Sequence, residues 1–257
     1  MIYPNMELVR KSFAIQAENF DSGKMNFSKA EYLDDMVSRL DLKPAFSGLE
    51  VAAGTCACGR AIAPYVKTMT CLDATDEMLE SGRKKGLENM VFIRGIAEDL
   101  PFLDESFDFV LSRLAFHHFA DIDKPFYEMK RVLKPHGKLV LIDMIADDEI
   151  NRATRDEIEK MRDLSHVRNP GEEEIRRLYE KNALSVELWE SRDVPVSLDS
   201  WLGLTKTPEL TKKKIVDFMK NDISGGRKTG FNPYYGPCNR IHFNQKWLMV
   251  AGVKDGR

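Results

Sequence analysis

Glu50 and Asp73, with a run of small residues between them, carry the first chemical suggestion in this 257-residue chain. Leu49-Glu50-Val51-Ala52-Ala53-Gly54-Thr55-Cys56-Ala57-Cys58-Gly59 reads as a buried strand running into a tight turn. Thr68-Met69-Thr70-Cys71-Leu72-Asp73 reads as a second strand ending in a carboxylate. Ligands of open α/β sheets bind at the carboxyl ends of the strands, where small side chains let backbone approach ligand. Gly54 can take open dihedrals there. Asp73 is placed to accept hydrogen bonds from ribose hydroxyls. The same geometry serves a dinucleotide or an adenosyl compound, and spacing alone does not separate them. The turn is poor in glycine, with Cys56 and Cys58 where further glycines are usual.

Other reactive side chains follow. His117-His118 comes directly after a strand, and either ring can act as a base near neutral pH. His117 is preferred for the pocket and His118, beside Phe119, for packing. His166, in Ser165-His166-Val167-Arg168, is a second candidate for contact with a substrate, and Arg168 suits either an anionic substrate or the loop. Tyr234 and Tyr235 suit a pocket wall or the edge of a sheet. Cys56, Cys58, Cys71 and Cys238 fit no secreted disulfide pattern. Cys56 and Cys58 form C-x-C without a second close pair, so no metal site is expected. Packed thiols in a reducing cytoplasm are the default reading.

The elements that must position these groups are legible as alternation. Short apolar runs at 48–53, 68–73, 90–94, 107–112 and 138–144 read as strands, with helical stretches between most of them. That pattern predicts a parallel sheet covered on both faces. Residues 7–46 read as helical, with Phe13, Ala17 and Phe20 on one face and a capping box from Ser28 to Glu31. Lys134-Pro135-His136-Gly137 reads as a helix stop. Charged helices are expected over 147–165 and from Asn169-Pro170-Gly171 through 181, then a half-exposed strand over 184–191. A helix over 199–222 and a last strand near 240–251 complete the chain. The long segment 195–239 is expected to build a lid or pocket wall, with Trp201 packing it down. Lys212, Lys213 and Lys214 read as a solvated face.

Composition is that of a globular protein, with 43% hydrophobic and 31% charged residues and a net charge of −3. Nothing in it steers the chain to nucleic acid or to an anionic membrane. No signal peptide, membrane span, Walker or HExxH motif is visible.

Several ordered motifs make the chain resemble a known family. They are Leu49-Glu50-Val51-Ala52-Ala53-Gly54-Thr55, Leu72-Asp73-Ala74-Thr75-Asp76-Glu77-Met78-Leu79 and Ala97-Glu98-Asp99-Leu100-Pro101-Phe102. Asp104-Glu105-Ser106-Phe107-Asp108-Phe109-Val110, Phe116-His117-His118-Phe119 and Glu128-Met129-Lys130-Arg131-Val132-Leu133-Lys134-Pro135-His136-Gly137 follow. The chain is similar to class I S-adenosylmethionine-dependent methyltransferases, in the branch of the ubiquinone/menaquinone C-methyltransferases and many small-molecule enzymes. The likeness is dense over 46–144 and looser elsewhere. It implies a doubly wound, seven-stranded, mostly parallel α/β sheet of Rossmann-like methyltransferase type, with helical cap elements. A single domain over 1–257 is expected: a helical cap (1–46), a cofactor-binding core (47–144), cap and acceptor-pocket elements (145–239), and a last strand and tail (240–257).

The resemblance also implies roles. Glu50 matches the acidic residue near the cofactor's amino group, and Gly54 and Thr55 match the turn holding its methionine moiety. Asp73 matches the ribose carboxylate, Ala74 and Met78 line the adenine, and Ile96 and Ala97 close over the base. Ser112 and Arg113 match the end of strand four, facing cofactor and acceptor. Ala52 and Cys56 depart from the family's glycines, and Ile96 stands where an Asp often meets the adenine amino group. The implied activity is methyl transfer from S-adenosyl-L-methionine to a small molecule. A base, His117 or His166, is needed only if the acceptor arrives protonated. A nucleotide-dependent oxidoreductase and a catalytically degenerate metabolite-binding protein of the same fold remain as alternatives.

Overall fold

Residues 5–20 and 29–256 are described by the computed structural model of the chain. The apolar runs form one mixed sheet: β1 (Ser47–Val51), β2 (Thr68–Asp73), β3 (Met90–Arg94), β4 (Phe107–Arg113), β5 (Leu133–Met144), β6 (Leu184–Ser197), β7 (Tyr234–Tyr235) and β8 (Ile241–Lys254). Its order is β3-β2-β1-β4-β5-β8-β6, with β7 added to β8. β1 to β5 run parallel, and β8 is antiparallel to both β5 and β6. The expected seven-strand path is present, and the two-residue β7 makes an eighth strand. The chain reverses direction of winding between β1 and β4, and this switch point opens a crevice at the strand ends.

The helices are α1 (Met6–Phe20), α2 (Ala30–Ser38), α3 (Ala57–Ile62), α4 (Asp76–Arg83), α5 (Asp123–Arg131), α6 (Arg152–Arg162), α7 (Glu172–Lys181), α8 (Leu198–Leu204) and α9 (Glu209–Ile223). Both sheet faces are covered, which is why the inner strands are apolar throughout instead of alternating. Leu49, Val51, Leu72 and Val110 pack with Phe116, Phe126 and Tyr179 on one face. Met69, Cys71, Phe109 and Leu111 pack with Met36 and Ile62 on the other. A third core joins α6, α8 and α9 to the ends of β6 and β8 through Trp201, Phe231 and Phe243, whose rings meet edge to face.

Several boundaries differ from the sequence expectation for local reasons. Ser28, the proposed start of a capping box, lies outside the described residues; α2 begins after Lys29, without a side-chain cap bond. Leu133-Lys134-Pro135-His136-Gly137 does not only stop α5. It opens β5, with the pairing shifting register between Phe107 and Phe109. A Cβ at Gly137 would lie 2.9 Å from the Asp108 carbonyl oxygen, so this irregular ladder needs glycine. β6 runs on to Ser197 because it is an edge strand, where Pro195 is tolerated. The helix expected over 199–222 is two helices, broken before Pro208, which disfavours helical geometry in the residue ahead of it. Tyr234 and Tyr235 form β7 on the sheet edge and stay exposed. No helix among the described residues is long and apolar enough to cross a membrane.

The glycine-poor turn after β1 keeps its backbone shape without the glycines. Ala52 (φ 54°), Gly54 (φ 53°) and Cys56 (φ 59°) all sit in the left-handed region. That region costs an L-residue about 1–2 kcal/mol, more than the roughly 0.5–1 kcal/mol of entropy that glycine loses on folding. Ala52→Gly is therefore expected to raise stability, by about 0.5 kcal/mol, in reversible denaturant unfolding. An ordinary alanine-to-glycine loss of about 1 kcal/mol would contradict the strain.

Candidate active site

A cavity of about 430 Å³ opens over the carboxyl ends of β1, β2, β4 and β5, within the size range of small-molecule sites. Its floor is built by short hydrogen bonds between the turn and β2. The Ala53 N–H donates to the Leu72 carbonyl at 2.9 Å, continuing the β1–β2 pairing past the end of β1. Gly54 N–H donates to Asp73 Oδ2 at 2.7 Å, and Thr75 N–H donates to Asp73 Oδ1 at 2.8 Å. Asp73 thus ties the β1 turn to the entry of α4 while lining the cavity. Burial pushes its carboxyl up, against the backbone donors that favour its ionised form. The N-cap of α4 is Thr75, so Asp73 orders the turn without capping the helix.

Glu50 lies beneath the same turn. Its Oε2 accepts the Gly59 N–H at 2.8 Å. A Cβ at Gly59 would stand 2.9 Å from that oxygen and 2.4 Å from Cys71 Sγ, so only glycine fits. Burial raises the Glu50 carboxyl to about 7, although Gly59, Cys58 and Arg113 all favour its charged form. Burial likewise pushes the Cys58 thiol up, with the Glu50 charge adding to it. Cys56, Cys58 and Cys71 are buried in the core beneath the turn. A helix N-terminus lowers a thiol pKa in the open, but here desolvation and Glu50 outweigh it at Cys58.

The β4 and β5 side of the cavity is polar in a different way. Asp143 accepts three backbone N–H groups: Ala115 at 3.0 Å, Phe116 at 2.6 Å and Met144 at 2.7 Å. Its Oδ1 also accepts His117 Nδ1 at 2.6 Å. A carboxylate only accepts, so Nδ1 carries the proton and Nε2 of the neutral ring is left as an acceptor. Burial opposes the charged imidazolium, but the Asp143 carboxylate outweighs it and raises the His117 pKa. His118 also lines the cavity, with Nδ1 3.1 Å from Ser165 Oγ. Burial, then the nearby His117 charge, lowers its pKa well below the ordinary value.

Asp163 closes this side by gathering α1 onto the cavity. It accepts Ser12 Oγ at 2.7 Å, Gln16 Nε2 at 3.2 Å and Ser165 Oγ at 2.6 Å. Asn5 Nδ2 bonds the carbonyls of His118 and Ser165, and Arg10 Nε bonds that of Ala74. The apolar face expected on this helix, including Phe13 and Phe20, is thereby turned into a cavity wall, with Phe20 packed against the core that holds Trp201 and Leu204.

Glu50, Gly54, Thr55, Asp73, Ala74, Ala97 and His117 all stand on the cavity wall. Met78 is buried below, its sulfur 4.0 Å from where a Gly54 Cβ would be. Ile96 pairs with Asp99 in an isolated bridge and is not on the wall. Ser112 is fully buried in β4, while its neighbour Arg113 reaches the cavity. His166 is also off the wall: its Nε2 lies 3.1 Å from Asp156 Oδ1, and its ring is 5.7 Å from that of His117. Arg168 pairs with Glu174 at 2.7 Å, so it orders the loop. Sequence reasoning did not single out Asp143, Asp163, Glu98 or Arg162. The carboxylates at the ends of the apolar strand 138–144 and the charged helix 147–165 were the available signal.

A family model described as a methyltransferase domain matches residues 49–141. The chain is 31% identical over 247 residues to the uncharacterized methyltransferase YcgJ of Bacillus subtilis (strain 168), covering 94% of this chain and 97% of the relative. The crystal structure of YcgJ superposes with a TM-score of 0.80 over 88% of this chain and 99% of its own. Protein BH2331 of Bacillus halodurans C-125 superposes with a TM-score of 0.79 at 25% identity, over 88% of this chain and all of that one. A demethylmenaquinone methyltransferase of Thermotoga maritima is 37% identical over 100 residues, 38% of this chain and 43% of the relative. With the strand order, the crevice at the switch point and a relative matched along nearly its whole length, the chain belongs to the class I S-adenosylmethionine-dependent methyltransferases.

Proposed function

We propose that the protein transfers a methyl group from S-adenosyl-L-methionine to a small-molecule acceptor enclosed in this cavity. The observation that carries the reading is the Asp73–Gly54 clasp, which holds a carboxylate and a left-handed glycine side by side on the cavity wall. The donor set fits the cofactor. Glu50 is an anion partner for the methionine ammonium, Asp73 an acceptor for ribose hydroxyls, and the 54–55 turn a surface without bulk. Ala74 and Ala97 give the base a flat, uncharged wall, with Met78 and Ile96 packing behind it. Ser112 supports the cofactor floor from within β4.

When bound, the cofactor supplies an electrophilic methyl group on a sulfonium whose charge is lost on transfer. The protein's task is alignment and exclusion of water. Phe13, Phe20, Met144, Trp201 and Leu204 make the acceptor walls apolar, while His117 and Arg162 offer polar contacts. The partial match to a demethylmenaquinone methyltransferase, 37% identical over 100 residues, supports a cofactor site like that of the quinone C-methyltransferases; the acceptor walls support only a small organic molecule. His117 Nε2 would accept the proton of a hydroxyl or other X–H acceptor, and His166, off the wall, would act through the packing of the histidine cluster. A reducing cytoplasmic setting suits the buried thiols.

Binding tests the cofactor reading. Asp73→Ala is expected to weaken S-adenosylhomocysteine about tenfold to a hundredfold in calorimetry, the worth of one or two hydrogen bonds to a charged group. An affinity equal to that of the unaltered protein would misplace the ribose.

Glu50 makes binding pH-dependent. Its folded value of about 7 leaves it half protonated near neutrality. A ligand ammonium favours the ionised form, so affinity rises with pH up to that point and then levels off. Between about pH 5 and 7 the slope should approach tenfold per unit, and Glu50→Gln should remove most of it. A slope unchanged in the variant would exclude Glu50 as its source.

His117 is tested by turnover with labelled S-adenosylmethionine and a metabolite extract. His117→Ala and Asp143→Asn should each reduce transfer to a protonated acceptor by about 10²–10⁴. Binding of S-adenosylhomocysteine should change by no more than about threefold in either variant. Full transfer in His117→Ala would show that no base is needed.

A further inference from the structure

His117 and His118 are neighbours in the chain, yet only His117 has a role in the reading above. Both line the cavity. Their ring centres lie 4.2 Å apart and are tilted by 45°. His118 is held from three sides. Phe13 of α1 meets its ring edge to face at 5.0 Å. Asn5 Nδ2 ties its carbonyl to that of Ser165, at 3.2 and 2.9 Å. Its Nδ1 lies 3.1 Å from Ser165 Oγ.

The partners of the His118 ring place its proton. Ser165 Oγ is 2.6 Å from Asp163 Oδ1. Burial would raise the Asp163 carboxyl, but His118, Arg162, Ser165 and Ser12 outweigh it and hold it well below the ordinary range. The carboxylate therefore only accepts, and the single hydroxyl proton of Ser165 is spent on it. Toward His118 the same oxygen is an acceptor, so Nδ1 carries the ring proton. Burial, and then the His117 charge, keep the ring from taking a second one. Nε2 is left with a lone pair. No hydrogen bond among the described residues engages it, yet it is not one of the closed-off polar atoms, so it opens onto the cavity. His117 presents the same atom: Asp143 holds its Nδ1 proton, and its Nε2 is likewise open.

Two adjacent ring nitrogens that both accept ask for a ligand atom with two hydrogens. Acceptors each about 2.9 Å from one tetrahedral nitrogen stand about 4.7 Å apart, close to the separation of these rings. A hydroxyl or thiol has one hydrogen and would leave one ring unmet. A neutral primary amine has two, and its lone pair points away from both.

We infer that His118 binds the methyl acceptor alongside His117, that Ser165 and Asp163 position it by fixing its proton on Nδ1, and that the acceptor is a primary amine. This rests on the methyl-transfer reading of the cavity. The amine lone pair forms the new N–C bond as the S–C bond breaks and its electron pair stays on sulfur. The resulting alkylammonium gives one proton to His117 Nε2 and keeps its other hydrogen on His118 Nε2. His117 thus bears on the rate of the step, and His118 on the hold over the amine.

Long-range proton–nitrogen NMR spectra of nitrogen-labelled protein read the ring tautomers directly, at about pH 8 where imidazoles are ordinarily neutral. The His118 signals, identified by their loss in His118→Phe, should show a proton on Nδ1 and a bare Nε2. Ser165→Thr should keep that pattern, and Ser165→Ala should mix the two tautomers. A proton on Nε2 in the unaltered protein, or a Ser165→Ala spectrum identical to it, overturns the inference. Turnover supplies the second readout, with methyl-labelled S-adenosylmethionine, a metabolite extract and carbon NMR of the labelled product. The methyl should sit on a nitrogen that was a primary amine. With that amine, His118→Phe should raise KM at least about tenfold and change kcat less than KM, the reverse of His117→Ala. An S-adenosylhomocysteine affinity within about threefold of the unaltered protein shows that a variant is folded. Ser165→Ala carries the same KM test if His118→Phe does not fold. A methyl on oxygen, sulfur or carbon, or an unchanged KM in the folded variant, overturns the inference and leaves methyl transfer standing. No labelled product from the unaltered protein overturns both.

Discussion

The hydrogen bond from Gly54 N–H to the Asp73 carboxylate joins the two strands on which the cavity depends. Asp73 ends β2, and Gly54 sits in the turn that leaves β1. The bond fixes the left-handed path Ala52-Gly54-Cys56 against the end of the neighbouring strand. That path in turn sets where α3 starts, which glycine Glu50 can reach, and how closely a ligand can approach the backbone. Backbone strain of this kind persists only where surrounding contacts over-determine it. Here the second oxygen of Asp73 on Thr75 and the buried thiols below the turn supply those contacts.

The charged groups sort along the cavity by what they are bonded to. At the β1–β3 end stand Glu50, Asp73 and Glu98, all with carboxyls raised by burial. Three buried acids in one wall favour a ligand rich in donors and positive charge, which is the character of an adenosyl sulfonium with its ammonium group. At the β4–β5 end the acids are consumed by the protein itself. Asp143 is saturated by backbone N–H groups and His117, and Asp163 by α1 and Ser165. Opposite shifts in neighbouring rings follow: His117 is raised by Asp143, and His118 is lowered by burial and by His117. The two rings therefore favour different charge states although they are adjacent in the chain.

Local features were legible in the sequence, and long-range partnerships were not. β2 and β3 were readable to the residue because each is a short apolar run bounded by polar residues. β1 ends before Ala52 because the turn becomes left-handed there, which an alanine does not announce. Pro135 and Gly137 signalled an interruption without saying that it was a strand irregularity. Asp73 and Gly54 could be placed because strand ends are marked locally. Asp143 also ends a readable strand, but its partner His117 is 26 positions away, and nothing local couples them. His166 looked equivalent to His117 as a residue type; its neighbour Asp156, one helix earlier, draws it off the cavity.

A crystal structure of the protein soaked with S-adenosylhomocysteine tests the central claim most directly. The account predicts both ribose hydroxyls within hydrogen-bond distance of Asp73, about 2.5–3.0 Å, with the base toward Ala74 and Ala97 and the sulfur toward His117. A ligand seated elsewhere, or a ribose turned away from Asp73, would contradict it.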